Sequence, residues 1–252
     1  GPDTEIFYDT GKAHDPAFGE ACHQNCDCGR FVEIWNNVFM QFDKQADGSF
    51  APLAQKNVDT GMGLERIAAV MQSVETVFET DAFTPVIDKI ASLSNKSYKD
   101  HERAFRIIAD HLRAATFIIG DQRGVAPSNV GQGYIVRRLL RRAIREGRRL
   151  GILEPFTHLV AEVYAGEYGG HYTELTQNLA KILDEMKKEE EKFGKTLEKG
   201  MKELEKMLSK GTITGEGAFL LFSSYGFPLE LTEEILREKG QTVDRDVFAS
   251  EF

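Results

Sequence analysis

The chain has 252 residues, 41% of them hydrophobic and 28% charged, with a formal net charge of -9. This is the profile of a globular protein with one large or two small domains. The acidic balance excludes a protein that coats nucleic acid with its whole surface, so any such contact must be local. No apolar run reaches the roughly 18 residues of a membrane span, and the N-terminus has no basic-then-apolar signal pattern.

In chain order, Glu5–Asp9 (EIFYD) and Phe31–Phe42 (FVEIWNNVFMQF) are aromatic and β-branched and read as strands. The second is long and mostly apolar, which predicts that it crosses a sheet interior. Between them lie Cys22, Cys26 and Cys28, with His23 nearby and His14 upstream. Three sulfurs and a histidine are the ingredients of a tetrahedral zinc site. The C-x3-C-x-C spacing is not that of a common zinc knuckle, however, so free thiols are expected rather than metal. An odd number of cysteines in one loop argues against a disulfide scaffold and for a reduced, cytoplasmic compartment.

Asp47-Gly48 suits a hairpin turn to a short partner strand near Phe50–Leu53. In VDTGMGLERIAAVMQ (58–72), Gly61 and Gly63 mark the change from extended chain to a helix with Leu64, Ile67, Ala68 and Met71 on one stripe. From about residue 75 the helical period dominates. Helices are predicted at Asp81–Leu93, Glu102–Ile119, Gly133–Leu150, Phe156–Tyr164, Glu174–Ser209, Gly217–Leu221 and Leu231–Lys239. The expected fold class is α+β, with a sheet-rich domain over 1–74 and a helical domain over 75–252.

GYIVRRLLRRAIREGRRLG (133–151) stands apart, with seven arginines against one acid, Glu146. Arg137, Arg141, Arg145 and Arg148 fall on one helical stripe, with Arg138, Arg142 and Arg149 beside it. Ile135, Leu139, Leu140, Ala143 and Ile144 are expected to supply apolar contacts on the remaining arc. Arginine forks suit phosphate and stacked bases, which favours RNA as partner. The alternative is a helix whose arginines pair acids elsewhere in the chain. VDTGMGLER also has two readings. An acid, two glycines and Arg66 can hold an amine and a phosphate, or they can form an ordinary strand–turn–helix junction.

VDTGMGLERIAAVMQ resembles motif 3 of the class II aminoacyl-tRNA synthetases, in the form found in alanyl-tRNA synthetases. GPDTEIFYD, RFVEIWNNVFMQF, RIIADHLRAATFII, GVAPSNVGQGYIVRRLLRRAIREG and GEGAFLLFSSYGFPLELT resemble the family's other motifs, in the family's order and over almost the whole chain. The resemblance implies a class II synthetase antiparallel sheet followed by a helical tRNA-recognition domain. It implies an enzyme that joins alanine to ATP and passes the alanyl group to the 3' end of its tRNA, with ATP and magnesium as cofactors.

By the same resemblance, Asp59 binds the ammonium of alanine and Gly61 keeps the pocket small. Asn36 hydrogen-bonds the alanyl carboxylate or carbonyl, and Trp35 and Val38 are candidates for the apolar wall. Arg66, with Gly63 at the helix start, holds the ATP γ-phosphate. Glu33 is a candidate magnesium ligand, the alternative being a strand acid paired with Arg30. Asn129 matches an asparagine that reaches a G·U wobble pair in the acceptor stem of alanine tRNA. Arg137, Arg138, Arg141, Arg142 and Arg145 are expected on the adjoining RNA backbone. The family usually reads LYDTYGFP where this chain reads LFSSYGFP. Ser223 therefore stands for an aspartate that shares recognition of the wobble pair, and weaker discrimination is expected.

Motifs 1 and 2 of the family, and its editing and C-terminal domains, have no match in these residues. The 252-residue chain alone is therefore expected not to activate alanine. The competing readings are a catalytically inactive fragment or paralogue that binds tRNA acceptor stems and, more weakly, a helical interaction protein with a vestigial sheet. The resemblance implies no oligomeric state, since the motif 1 interface is not among these residues.

Overall fold

The computed structural model describes residues 2–251; Gly1, which opens the GP-x-x-EIFYD motif, lies outside them. The fold is α+β, and the chain divides into two compact units, Gly1–Thr84 and Pro85–Phe252. In the first, β1 (Asp3–Asp9), β2 (Phe31–Lys44) and β3 (Phe50–Met62) form an antiparallel sheet in the order β1-β2-β3. The hairpin turn forms as expected around Asp47-Gly48. The Ser49 amide donates to Asp47 Oδ1 at 2.9 Å, and Gln45 N donates to Ser49 O at 2.9 Å.

Two strand expectations are corrected. β3 is one strand of 13 residues rather than a short partner near Phe50–Leu53. Its polar stretch at 57–60 has weak strand propensity, and pairing with residues 37–40 of β2 overrides it. β2 does not cross a covered interior. Trp35, Phe39, Met40 and Phe42 are 36–50% exposed, because among the described residues the unit sets a single α-helix of eight residues, α1 (Leu64–Met71), beside three strands.

The second unit is helical: α2 (Thr84–Ser94), α3 (Glu102–Gly120), α4 (Gly131–Arg149), α5 (Thr157–Tyr168), α6 (Thr173–Gln177), α7 (Leu179–Ser209), α8 (Gly215–Tyr225), α9 (Leu229–Glu238) and α10 (Arg245–Ser250). α2 starts later than Asp81, whose backbone and side chain are held instead by Gln72. The predicted helix Glu174–Ser209 is interrupted at Asn178 (φ -100°, ψ 12°). Asn178 Nδ2 donates at 2.8 Å to the carbonyl of Gly120, the last residue of α3. The side chain satisfies one of the unpaired carbonyls at that helix end, and its own helix breaks there. α10 was not expected. It is too short to show a period and rests on an Asp244 cap that accepts from Asp246 N and Val247 N.

Phe105, Leu112, Leu140, Ile144, Tyr164, Met186 and Phe193 are fully buried and form the core between α3, α4, α5 and α7. Each contributes about 1.5–3 kcal/mol by leaving water. The Tyr164 hydroxyl donates to Ala109 O at 2.8 Å, so its burial leaves no orphan polar group. No described helix is long and apolar enough to cross a membrane.

Candidate functional site

Strand register decides which sheet residues can act together. Asn36 lies opposite Gly61 on β3 and Glu5 on β1, and Val38 lies opposite Asp59. Successive side chains alternate between faces, so Glu5, Asn36, Val38, Asp59 and Gly61 share one face. Trp35 is on the other, where its indole Nε1 donates to Thr60 Oγ1 at 2.7 Å and Thr60 donates to Asn37 Oδ1. Of the two wall candidates, only Val38 is placed beside Asp59, and the Trp35 expectation is corrected by this alternation.

Counting residues would put Glu33 on the Trp35 face, since three positions separate it from Asn36. A register shift between Ile6 and Phe7 leaves Ile34 as an extra residue and sets Glu33 opposite Phe7. The bulge therefore turns Glu33 toward the face of Asn36. Arg66 on α1 donates through Nη1 to the Glu33 carbonyl at 2.7 Å, and the same nitrogen is 3.7 Å from the Glu33 carboxylate. The pairing of Glu33 with Arg30 is not what forms; Arg30 pairs with Asp9 at 3.1 Å. Gly63 is the N-cap of α1, and a Cβ there would sit 3.2–3.4 Å from the stem of Arg66. Its glycine lets the arginine fold back over the strand end. A Cβ at Gly61 would meet nothing within 4 Å. Asp59 is exposed, and its carboxylate has no side-chain partner among the described residues.

The arginines of α4 have their charge answered largely within the chain. Arg137, Arg141 and Arg145 have side chains only 9%, 7% and 7% exposed. Arg137 and Arg141 meet Glu189 of α7 at 3.1 and 2.6 Å. Arg145 meets Glu146 at 3.1 Å and Glu238 at 3.0 Å. Arg138 and Arg142 are paired with Glu230 at 2.7 Å and Glu234 at 2.8 Å, with side chains 35% and 37% exposed. Arg149 reaches Glu238 at 3.0 Å, and Arg148 donates to the carbonyls of Ile152 and Leu153. Ile135, expected to make an apolar contact, is exposed. The local charge excess was visible in the sequence, but apart from Glu146 its acidic partners lie about 50 to 90 residues away on α7 and α9, where no local pattern shows them.

One cavity of about 470 Å³ brings together residues that the sequence separates widely. Asn129, Tyr134, Arg137, Arg141, Lys192 and Ser223 are all on its wall. Arg137 Nη1 donates to Asn129 Oδ1, and Arg141 Nη1 donates to the Gly226 carbonyl. Gly226 ends α8 at φ +67°, a left-handed conformation that suits glycine, and a Cβ there would collide with the Arg141 guanidinium. Arg141 also lies over the Phe193 ring at 4.8 Å. Burial pulls the Arg141 pKa below its ordinary value, against the attraction of Glu189. Asn129, Lys192 and Ser223 are exposed. The signal for Lys192, which sequence reading missed, is one lysine in a mixed Lys–Glu helix; only the cavity separates it from its neighbours.

In the loop between β1 and β2, His14, Cys22, Cys26 and Cys28 place their donor atoms within 4.8 Å of one another, and His23 is not part of the group. A hydrogen bond with His14 draws the Cys28 thiol down to about 6. Desolvation and the neighbouring Cys28 push Cys22 up to about 11.

A strand ending in a glycine turn and an arginine-bearing helix, followed by a helical unit with the arginine-rich α4, is the layout expected of a class II synthetase region. Residues 1–252 match the family model for tRNA synthetases class II (A), and the chain belongs to that family. The relatives are named more narrowly. The chain is similar to the alanine–tRNA ligase of Treponema pallidum (strain Nichols), at 49% identity over all of this chain and 43% of that protein. It is 51% identical to the alanine–tRNA ligase of Treponema denticola, over all of this chain and 43% of that protein. With the alanine–tRNA ligase of Elusimicrobium minutum it shares 48% identity over 97% of this chain and 28% of that protein. The chain thus spans less than half the length of these curated relatives.

Proposed function

We propose that the chain carries the amino-acid-binding strands and the acceptor-stem reader of an alanine–tRNA ligase. The observation that carries this reading is the single sheet face shared by Asn36, Asp59 and Gly61, with Arg66 drawn to Glu33 at its edge. Asp59 takes the ammonium of alanine, its free carboxylate giving a charge-assisted bond that an amine-free ligand cannot make. Asn36, whose Nδ2 is 3.3 Å from Glu5 Oε1, is in position to turn to the alanyl carboxylate. That carboxylate attacks the α-phosphorus of ATP, a carboxyl–phosphorus bond forms, and pyrophosphate leaves. Positioning and charge neutralisation do most of the work.

Arg66 holds the γ-phosphate through the guanidinium nitrogens not engaged by Glu33. The residues present fit magnesium: a single carboxylate, Glu33, beside an arginine suits an ion that keeps its remaining bonds for phosphate oxygens and water. Magnesium supplies charge neutralisation at those oxygens. Asn129 and Ser223 meet the acceptor stem from one cavity. Lys192, Arg138 and Arg142 contact its backbone, while Arg137, Arg141 and Arg145 hold the scaffold. A cytoplasmic location goes with this reading.

Alanine-dependent ATP–pyrophosphate exchange by the complete protein tests it. Asp59→Asn is expected to lower kcat/KM for alanine roughly 10- to 100-fold, the cost of a charged hydrogen bond. Exchange unaffected by Asp59→Asn would contradict the assignment. Binding of acceptor-stem RNA without any exchange would favour the binding-module reading instead.

A further inference from the structure

We infer that His14, Cys22, Cys26 and Cys28 form a structural zinc site that serves as the core of the β1–β2 loop. This inference stands apart from the synthetase reading. The four donors converge within 4.8 Å. Cys22 Sγ lies 3.7 Å from Cys28 Sγ, and Cys26 Sγ lies 3.7 Å from His14 Nδ1. A tetrahedron with zinc–sulfur bonds of about 2.3 Å has sulfur–sulfur edges of about 3.8 Å. The four side chains therefore stand near the corners that a tetrahedral ion requires.

The histidine is oriented for ligation. Its Nε2 is 2.9 Å from the Gly19 carbonyl. A neutral imidazole that donates there leaves Nδ1 bare, and Nδ1 is the nitrogen that faces the sulfurs. An outer hydrogen bond of this kind, from a ligating histidine to a backbone carbonyl, is the usual support in protein zinc sites.

The loop also needs a core. It runs from Thr10 to Arg30 with only one short 3-10 turn, Pro16–Phe18. Its base is closed by the Thr10 N to Arg30 O bond at 2.8 Å and by the Asp9–Arg30 ion pair. Inside it, Phe18 is half exposed, and Cys26 is the buried residue. A stretch this long without a hydrophobic cluster does not hold one conformation through apolar burial. A bound ion supplies that constraint, and its binding free energy becomes folding free energy. Three thiolates and one imidazole favour zinc over hard cations such as magnesium. The C-x3-C-x-C spacing by itself speaks against metal; the convergence of upstream His14 with the three sulfurs speaks for it.

The test is zinc analysis of untagged protein beside two variants. Wild type and His23→Ala are expected to retain about one more zinc per chain than Cys26→Ser/Cys28→Ser, in line with a four-ligand site. X-ray absorption at the zinc edge of the wild type keeps the inference testable should the double variant misfold. It is expected to show a sulfur-dominated shell with one nitrogen. Equal zinc in wild type and double variant, a shell of light atoms only, or a metal-free protein with a Cys22–Cys28 disulfide would overturn the inference.

Discussion

Arg141 Nε donates to Glu189 Oε1 at 2.7 Å, and its Nη2 lies 2.6 Å from the same oxygen, with the two side chains 7% and 5% exposed. Arg137 shares that oxygen at 3.1 Å. Two buried cations thus depend on one carboxylate. Removing one member of such a cluster strands the others away from water.

Glu189→Gln is accordingly expected to destabilise the helical unit by about 3–5 kcal/mol, read by urea denaturation. Replacing Arg137, Arg141 and Glu189 together by apolar residues of similar volume is expected to cost much less, since no buried charge is then left without its partner. Equal losses in the single and triple variants would show that the cluster contributes packing rather than charge compensation.

The same pairing fixes how RNA affinity should respond to salt. Seven open arginines would give a slope of log K against log salt near -6, at about -0.9 per neutralised phosphate. With the buried arginines committed to internal acids, about three contacts remain: Lys192, together with Arg138 and Arg142 on exchanging their part-exposed partners Glu230 and Glu234 for phosphate. A slope of about -2 to -3 is expected in titrations of an acceptor-stem duplex. Lys192→Ala should reduce its magnitude by about 1.

Glu190 governs a pH effect of opposite sign to that of most carboxylates. Its Oε2 accepts from Phe156 N, Thr157 N and Thr157 Oγ1 at 3.0, 2.8 and 2.6 Å. Its Oε1 is buried without a partner. Burial raises its pKa above the ordinary glutamate value, with the hydrogen bonds opposing. The stability this group contributes is full below the unfolded-state pKa and is lost as pH rises through the raised folded value. Glu190→Gln keeps an acceptor and removes the charge. The stability difference, wild type minus variant, should therefore fall as pH rises through that window. Parallel curves in urea melts across the window would contradict this.

Much of the fold is written locally in the sequence. The Asp47-Gly48 turn, the Gly63 junction and most helices of the second unit follow from turn chemistry and a 3.6-residue period. What escaped depends on contacts between distant residues. A bulge at Ile34 brings Glu33 to the Asn36 face, against simple alternation. Asn178 breaks a helix because it serves the end of α3. The arginines of α4 find Glu189, Glu230, Glu234 and Glu238 on helices far along the chain. Asn129 and Ser223, known only through resemblance and nearly a hundred positions apart, line one cavity.

That cavity carries the central claim, that acceptor-stem identity is read there with a serine in place of an acid. The direct measurement is binding of acceptor-stem duplexes bearing G·U or G·C at the wobble position to the wild type, Asn129→Ala and Ser223→Asp. The wild type is expected to prefer G·U modestly. Asn129→Ala should remove that preference, and Ser223→Asp should widen it by about 1–3 kcal/mol, the usual worth of one base-pair contact. A strong G·U preference that neither substitution alters would contradict the account.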